Sequence, residues 1–177
     1  LGRERIDLYY LHARDPAVPY AESLGALAEL VAAGKVRWAG VSNVGTREIE
    51  LARRGLPLVA VQNMLNPYLR DSLRGGLWRR SVLERCRALG LAFVAHSPMG
   101  SWWGEKLPEH PVVAPIAARH GVSAHAVALA WVLAQGPHVI ALPGARTVER
   151  VRAAVRAAEL ELDRSELAAL ERAPFPR

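Results

Sequence analysis

The chain has 177 residues, of which 51% are hydrophobic and 23% are charged, so it carries enough apolar surface for a buried core. This balance excludes a disordered tail or a fibrous repeat, and no apolar run approaches the roughly 18 residues of a membrane-spanning helix. The single cysteine, Cys86, cannot form an internal disulfide. We therefore expect a globular, cytoplasmic protein with no membrane partner.

Arginine dominates the charge. Lys and Arg number 23 against 17 Asp and Glu, a net charge of +6, and Lys35 and Lys106 are the two lysines. Guanidinium matches phosphate oxygens in a planar fork, but genomic base composition is the explanation of the excess that we favour. The densest group comprises Arg70, Arg74, Arg79, Arg80, Arg85 and Arg87. We interpret these as the solvated face of a helix, not as a nucleic-acid surface, because they alternate with a predicted buried side of Leu77, Val82, Leu83, Cys86 and Leu89.

Short apolar runs alternate with longer helical periods along the chain. The predicted strands cover residues 6–11, 36–41, 58–62, 92–95 and 138–142. The first predicted helix has Leu24, Leu27, Ala28 and Val31 on one face, and it ends at Gly34. The next are a helix over 46–54 and the arginine-rich helix, which ends near Gly90. Two helices over 112–120 and 123–135 follow, and then one marked by Val148, Val151 and Val155. Asp163 with Glu166 predicts the start of a last helix, and a loop is expected between 96 and 112.

This alternation predicts an α/β fold in which a parallel sheet is covered by helices. No composition shift or linker divides the chain, so we expect a single domain over residues 1–177. Two architectures fit the pattern: an open doubly wound sheet, or part of an eight-stranded barrel. A complete barrel needs about 250 residues, which is more than this chain holds.

Polar side chains follow each predicted strand. The strand ends carry His12, then Ser42 and Asn43, then Gln62 and Asn63, then His96 and Ser97, and finally Gly144 and Arg146. In parallel α/β folds, ligands bind at the carboxyl ends of the strands. The concentration of polar groups at all five ends therefore predicts a binding site there.

Several short motifs point to one family. They are Asp7-Leu8-Tyr9-Tyr10-Leu11-His12 with Asp15-Pro16, then Gly34-Lys35-Val36-Arg37, Gly40-Val41-Ser42-Asn43, Val61-Gln62-Asn63 and Pro143-Gly144-Ala145-Arg146. In this order and spacing the chain resembles the C-terminal part of the aldo-keto reductases, NADPH-dependent (β/α)8 barrels. The resemblance implies a partial TIM barrel, strands four to eight with their helices. It also implies that the first three βα units precede Leu1, which is not a methionine.

The resemblance gives His12 a catalytic role. By spacing alone, a histidine at the end of a strand is a rim residue bonded to a backbone carbonyl. The catalytic histidine of the family lies in this motif and hydrogen-bonds the substrate carbonyl. The family's catalytic Asp, Tyr and Lys lie on earlier strands, so His12 is the one tetrad member that we expect in this chain. The other histidines show no metal-ligand grouping with it, and we predict no metal.

The resemblance also assigns NADP(H)-binding residues. Ser42, Asn43 and Gln62 would hydrogen-bond the nicotinamide carboxamide, although the same residue types are favoured in turns at strand ends. His96 stands where many relatives stack an aromatic ring on the nicotinamide. Ser97, Met99 and Gly100 resemble the segment that cradles the pyrophosphate.

The last strand end matches the site for the cofactor tail. Gly144 would allow close backbone approach, and Arg146 and Arg150 would bind the 2′-phosphate, with Thr147 capping the following helix. A solvated helix face is the alternative for either arginine. Relatives often carry Glu-Asn where this chain has Ala153-Ala154. Trp102 and Trp103 could close over a ligand or anchor their loop.

These features predict reduction of aldehydes or ketones to alcohols with NADP(H) as cofactor and a small-molecule carbonyl compound as substrate. The 177 residues alone are expected to be inactive, because they contain one member of the tetrad. The alternative is a non-catalytic NADP(H)-binding module or subunit. A basic protein that binds nucleic acid is a third, weaker interpretation.

Overall fold

The computed structural model describes residues 2–74 and 81–176. Its strands are Ile6–Leu11 (β1), Val36–Ser42 (β2), Leu58–Met64 (β3), Ala92–His96 (β4) and Val139–Leu142 (β5). They form one sheet in chain order, in which β2 pairs in parallel with both β1 and β3. The predicted parallel α/β class is confirmed, and each strand lies within two residues of its predicted bounds.

Helices follow the strands. They are Tyr20–Ala32 (α1), Thr46–Arg53 (α2), Val82–Ala88 (α3), Val113–His120 (α4), Ala124–Leu133 (α5), Val148–Ala158 (α6) and Arg164–Arg172 (α7). Residues Ser101–Glu109, which the sequence predicted as a loop, form a 3₁₀ helix instead. Bonds between residues three apart hold its ends: the N–H of Trp103 donates to Gly100 and that of His110 to Leu107.

Local signals explain where the helices begin and end. Gly34 follows α1 with a φ of +70°, a left-handed conformation that favours glycine. Asp163 and Glu166 form the predicted capping box of α7: each carboxylate accepts the backbone N–H of the other residue, at 2.8 and 3.0 Å. Both predictions are confirmed.

The chain divides into two compact units. Unit 1 comprises Leu1–Asn63 and Ser72–Val94, and unit 2 comprises Met64–Asp71 and Ala95–Arg177. In unit 1, β2 is buried at Val36, Ala39 and Val41, whereas β1 exposes much of its length. In unit 2, α5 is buried along most of its length. A single domain over residues 1–177 stays a prediction.

The arginine interpretation is wrong at two positions. The guanidinium of Arg85 pairs with Glu50, its Nε 2.6 Å from the carboxylate. Arg70 donates to the backbone carbonyls of Pro67, Leu170 and Glu171 at 2.7–2.9 Å. Both arginines therefore make contacts within the fold. Arg87 is exposed on α3 as predicted, whereas Arg74 is exposed but lies before α3, outside any described helix. Leu77, Arg79 and Arg80, which the prediction also included, lie outside the described residues.

Among the described helices, no single one is long and apolar enough to span a membrane. The pair α4 and α5 meets the criteria of length and composition only when taken together, and it is bent by 96°.

Candidate functional site

In unit 1, the predicted site residues lie at the carboxyl ends of β1, β2 and β3. Ser42, the last residue of β2, stands opposite Gln62 of β3 in the parallel register. The next residue, Asn43, donates its backbone N–H to the carbonyl of Gln62 at 3.0 Å. The register of β2 and β3 thus brings Ser42, Asn43 and Gln62 together.

Asn43 connects this group to His12. Its φ of +57° lies in the left-handed region, which Asn adopts more readily than most side chains. Its side-chain amide donates to the backbone carbonyl of His12 at 2.9 Å and lies 3.1 Å from the hydroxyl of Ser42. One amide therefore fixes the end of β1 relative to the end of β2.

The side chains of the group differ in exposure. Ser42 is 1% exposed, Gln62 is half-buried, and His12 and Asn43 are exposed. Within the described residues, the imidazole of His12 forms no hydrogen bond. The alternative, a hydrogen bond from the ring to a backbone carbonyl, is therefore not observed there. The group offers an imidazole, two amides and a hydroxyl, and it can both donate and accept hydrogen bonds.

Asn63 stabilises the turn that carries Asn43, a role that the sequence analysis missed. Its side-chain oxygen accepts the N–H of Val44 at 3.0 Å, and its amide donates to the carbonyl of Val44 at 2.8 Å. These paired bonds hold the turn between β2 and α2 against the end of β3. The visible signal was the amide side chain directly after Gln62.

In unit 2, the segment after β4 is held in a sharp turn. The imidazole Nδ1 of His96 is 3.2 Å from the hydroxyl of Ser97, whose φ is +51°. The carbonyl of Ser97 accepts hydrogen bonds from the N–H of Gly100 and from the amide of Asn66, both at 3.0 Å. Asn66, fully buried, is a second positioning residue that the sequence analysis missed.

Gly100 is required by packing within this turn. Its φ is +92°, and a Cβ at this position would lie 2.9 Å from the ring of Tyr68. Met99 is half-buried beside it. The turn is therefore held by hydrogen bonds and packing within unit 2.

The segment between β5 and α6 is open to solvent. Gly144, Arg146 and Arg150 are exposed, and a Cβ at Gly144 would meet no atom within 4 Å. The hydroxyl of Thr147 accepts the N–H of Arg150 at 3.3 Å, which confirms Thr147 as the cap of α6. Among the described residues, no carboxylate pairs with Arg146 or Arg150. Two unpaired guanidinium groups beside a helix N-terminus favour an anion.

The two tryptophans after Gly100 are in different environments. The ring of Trp103 stacks on that of Tyr68, with centroids 6.5 Å apart. This contact agrees with a role of Trp103 in anchoring its loop. Trp102 contacts Trp103 at 5.4 Å but is 70% exposed. Trp102 is therefore the tryptophan that remains available to a ligand.

Two tyrosines outside the predicted site have perturbed pKa values. Burial raises the pKa of Tyr10 and of Tyr68, which makes each phenol a weaker acid. Among the described residues, no three His, Cys, Asp or Glu side chains form a group that could hold a metal ion.

The chain matches known proteins over nearly its whole length. The model of the aldo/keto reductase family matches residues 1–173. An aldo-keto reductase of Strobilurus tenacellus is 31% identical over 97% of this chain, and a probable aldo-keto reductase of Glycine max is 30% identical over 94%. The chain spans 59% and 54% of the lengths of these two relatives.

Solved structures of aldo-keto reductases are similar to this chain in fold. A thermostable aldo-keto reductase, crystallised with the inhibitor epalrestat, superimposes with a TM-score of 0.82 and is 35% identical. An aldo-keto reductase of Klebsiella pneumoniae in complex with NADPH gives a TM-score of 0.83 at 28% identity. The two superpositions cover 95% and 96% of this chain. They cover 60% and 58% of the two longer reductase chains, which agrees with the predicted partial barrel. The motifs, the parallel fold and the match over residues 1–173 together show that this chain belongs to the aldo/keto reductase family.

Proposed function

We propose that this chain supplies the catalytic histidine and most of the cofactor-binding residues of an NADP(H)-dependent reductase of aldehydes and ketones. The observation that supports this most directly is the hydrogen-bonded group in unit 1, where Asn43 joins the carbonyl of His12 to Ser42 and Gln62. Family membership and the NADPH bound by the Klebsiella pneumoniae relative support the choice of cofactor.

Ser42, Asn43 and Gln62 bind the nicotinamide carboxamide in this proposal. A carboxamide presents one acceptor oxygen and one donor nitrogen, so its recognition needs donors and acceptors together. The hydroxyl of Ser42 and the two amides offer both. Because Asn63 and the strand register fix the backbone of this group, the face of the nicotinamide ring is set before a substrate arrives.

His12 positions the substrate. Its ring is exposed beyond the end of β1, while its backbone carbonyl is held by Asn43. The ring donates a hydrogen bond to the carbonyl oxygen of the substrate, which orients and polarises the bond to be reduced. When bound, NADPH supplies the hydride.

Unit 2 carries further residues that bind the cofactor in this proposal. Ser97, Met99 and Gly100 hold the pyrophosphate, and His96 stacks on the nicotinamide in place of the aromatic residue of many relatives. Arg146 and Arg150 bind the 2′-phosphate that distinguishes NADP from NAD. The open space at Gly144 and the absence of carboxylates paired with these arginines among the described residues fit that role.

Cofactor binding by the 177-residue chain tests the proposal. Titration of NADPH and NADH, followed by calorimetry, should show a preference for NADPH. Arg146→Gln and Arg150→Gln should each weaken NADPH binding about tenfold and leave NADH unchanged, since each removes a charge-assisted bond to the 2′-phosphate. Arg152→Gln is the matched control, because Arg152 is exposed on the same helix. Equal affinities for both cofactors in all four proteins would contradict the proposal.

An activity assay tests whether the 177 residues are sufficient for catalysis, and the upstream genomic sequence distinguishes the reductase from the non-catalytic module. We expect no oxidation of NADPH by the 177 residues with a panel of aldehydes, because burial makes Tyr10 and Tyr68 weaker acids and no tyrosine here lies in the family's catalytic motif. Turnover that His12→Ala abolishes would overturn that expectation. A genomic sequence that encodes the catalytic Asp, Tyr and Lys on the 5′ side of the Leu1 codon supports the enzyme, and a start codon near Leu1 supports the module.

A further inference from the structure

Unit 1 contains a cavity that the proposed cofactor and catalytic residues do not line. Its volume is about 240 Å³, and its walls are Arg14, Tyr20, Arg47, Glu48 and Leu51. Arg14 follows β1, Tyr20 begins α1, and the other three lie in the first two turns of α2. A water molecule occupies about 30 Å³ of liquid, so the cavity has room for a small organic molecule.

Tyr20 lines this cavity, and its side chain carries a buried polar group. The residue is 8% exposed, and its hydroxyl is buried with no hydrogen-bond partner among the described residues. Such groups are rare in folded proteins because burial removes their bonds to water. Burial raises the pKa of Tyr20 to about 12, the carboxylate of Glu48 adds to the rise, and Arg14 opposes it. The hydroxyl therefore stays protonated at neutral pH and can donate to a ligand.

The charges around the cavity favour an anion. Glu48 is already engaged: one of its oxygens lies 3.5 Å from Arg14 and the other accepts the N–H of Gly45 at 3.1 Å. Arg14 also lies over the ring of Tyr20, 5.6 Å from its centroid. By contrast, no carboxylate among the described residues lies within ion-pair distance of Arg47. Two guanidinium groups and one carboxylate leave a net charge of +1.

We propose that this cavity binds the carboxylate of a small organic acid, with Arg47 and the hydroxyl of Tyr20 as its donors. A monoanion balances the single net positive charge, whereas a phosphate of nearly two charges would be repelled by Glu48. The guanidinium of Arg47 matches the two oxygens of a carboxylate, and Leu51 provides an apolar wall for a short hydrocarbon tail. The proposal is independent of the reductase function, because it uses none of the residues assigned to that function.

Butyrate is the probe, titrated into the 177-residue chain by calorimetry at constant ionic strength. Saturable binding is expected. Arg47→Gln and Tyr20→Phe should each weaken it about tenfold, since each removes one donor to the anion. Arg54→Gln is the control: Arg54 is exposed at the far end of α2, outside the cavity. Tyr20→Phe should leave the melting temperature without butyrate equal or higher, because the hydroxyl has no partner in the protein to lose.

Three results would overturn the proposal. The first is no saturable binding of butyrate, and the second is binding that Arg47→Gln and Tyr20→Phe leave unchanged. The third is saturation by inorganic phosphate but not by butyrate, which would make the cavity a phosphate site. A tenfold loss in Tyr20→Phe without a fall in melting temperature would separate ligand binding from a structural role of the residue.

Discussion

Two neighbouring helices of unit 2, α5 and α6, are both rich in alanine and valine but lie in opposite environments, and α6 also carries Glu149 and three arginines. Both were predicted from apolar residues at helical spacing. In α5, residues on every side are buried, including Val127 and Trp131. In α6, Ala157 is the buried residue, and the three valines that marked the helix are 50–59% exposed.

The difference follows from what each helix packs against. α5 is contacted by α4, by β5, by the 3₁₀ helix and by α6. α6 approaches through Ala154 and Ala157, which pack with Ala126 and Leu129 of α5. Small side chains allow two helices to approach closely, and the bulkier valines lie outside that contact. Apolar spacing therefore identifies a helix but does not show which of its apolar side chains are packed.

Replacement of Trp131 by alanine should give the largest effect, because it removes the biggest fully buried side chain of α5. Trp131 is 0% exposed, and the guanidinium of Arg70 lies 5.0 Å from its ring centroid. The transfer and cavity contributions predict a loss of about 4 kcal/mol in the free energy of unfolding, measured by urea denaturation. Trp102→Ala is the control and should cost little, because Trp102 is 70% exposed. Equal losses of unfolding free energy in the two variants would mean that Trp131 is not part of a buried core in solution.

Glu166 of α7 fastens α4, which covers α5, and its removal should give the second largest effect. Its carboxylate accepts hydrogen bonds from Arg119 at 2.8 Å and His120 at 3.0 Å, and it is 3% exposed. Glu166→Ala removes these charged hydrogen bonds and should cost about 2 kcal/mol in urea denaturation. Hydrogen exchange should quicken in α4 and α5 more than in α6. An equal increase of the hydrogen-exchange rate in all three helices would show that the effect is global. It would contradict the expected difference between α5 and α6.

The same contact predicts a dependence on pH. Burial alone would raise the pKa of Glu166, but hydrogen bonds from Arg119, the N–H of Asp163 and His120 outweigh it, so the pKa lies below its usual 4.5. A carboxyl with a depressed pKa in the folded state stabilises the protein above its unfolded pKa. Stability should therefore fall as the pH drops below about 4.5 towards the folded pKa. Glu166→Gln should flatten this part of the curve of unfolding free energy against pH, and an unchanged slope would contradict the assignment.

Local features of the fold could be predicted because they depend on neighbours in sequence. Thr147 caps α6 three residues from its partner Arg150, and Asp163 caps α7 three residues from Glu166. Gly34 marks the end of α1 through its own backbone conformation. The five strands were also visible, because each is a short apolar run between turn residues.

Contacts between distant residues could not be predicted. The bonds from Asn43 to His12 and from Asn63 to Val44 span 31 and 19 residues and depend on the register of the sheet. The role of Arg70 depends on carbonyls about 100 residues away, so charge clustering in the sequence placed it on a solvated face. The candidate site was predictable as a set of strand ends, and its internal geometry was not.

Enlarging Ala157 tests the close contact between the two helices. Ala157 is 1% exposed and packs against Ala126 and Leu129 of α5. Ala157→Leu adds three carbons to this contact, and overpacking should lower the free energy of unfolding by about 1–2 kcal/mol. Ala158→Leu adds the same volume at the next, exposed position of α6 and should have little effect. Equal stability of both variants would mean that α6 does not pack through its alanines.

Trimming the valine row should have the smallest effect. Val151 is 50% exposed, so Val151→Ala removes two methyl groups that are already half in water. Alanine is also the better helix former, by roughly half a kcal/mol, which offsets the lost contact. We expect a change within about 0.5 kcal/mol in urea denaturation. Val127→Ala in α5 is the matched comparison and should cost about 2 kcal/mol, because Val127 is 0% exposed. If the two substitutions cost the same, the valine row of α6 is covered in solution, and the two helices differ less than their exposures in this chain indicate.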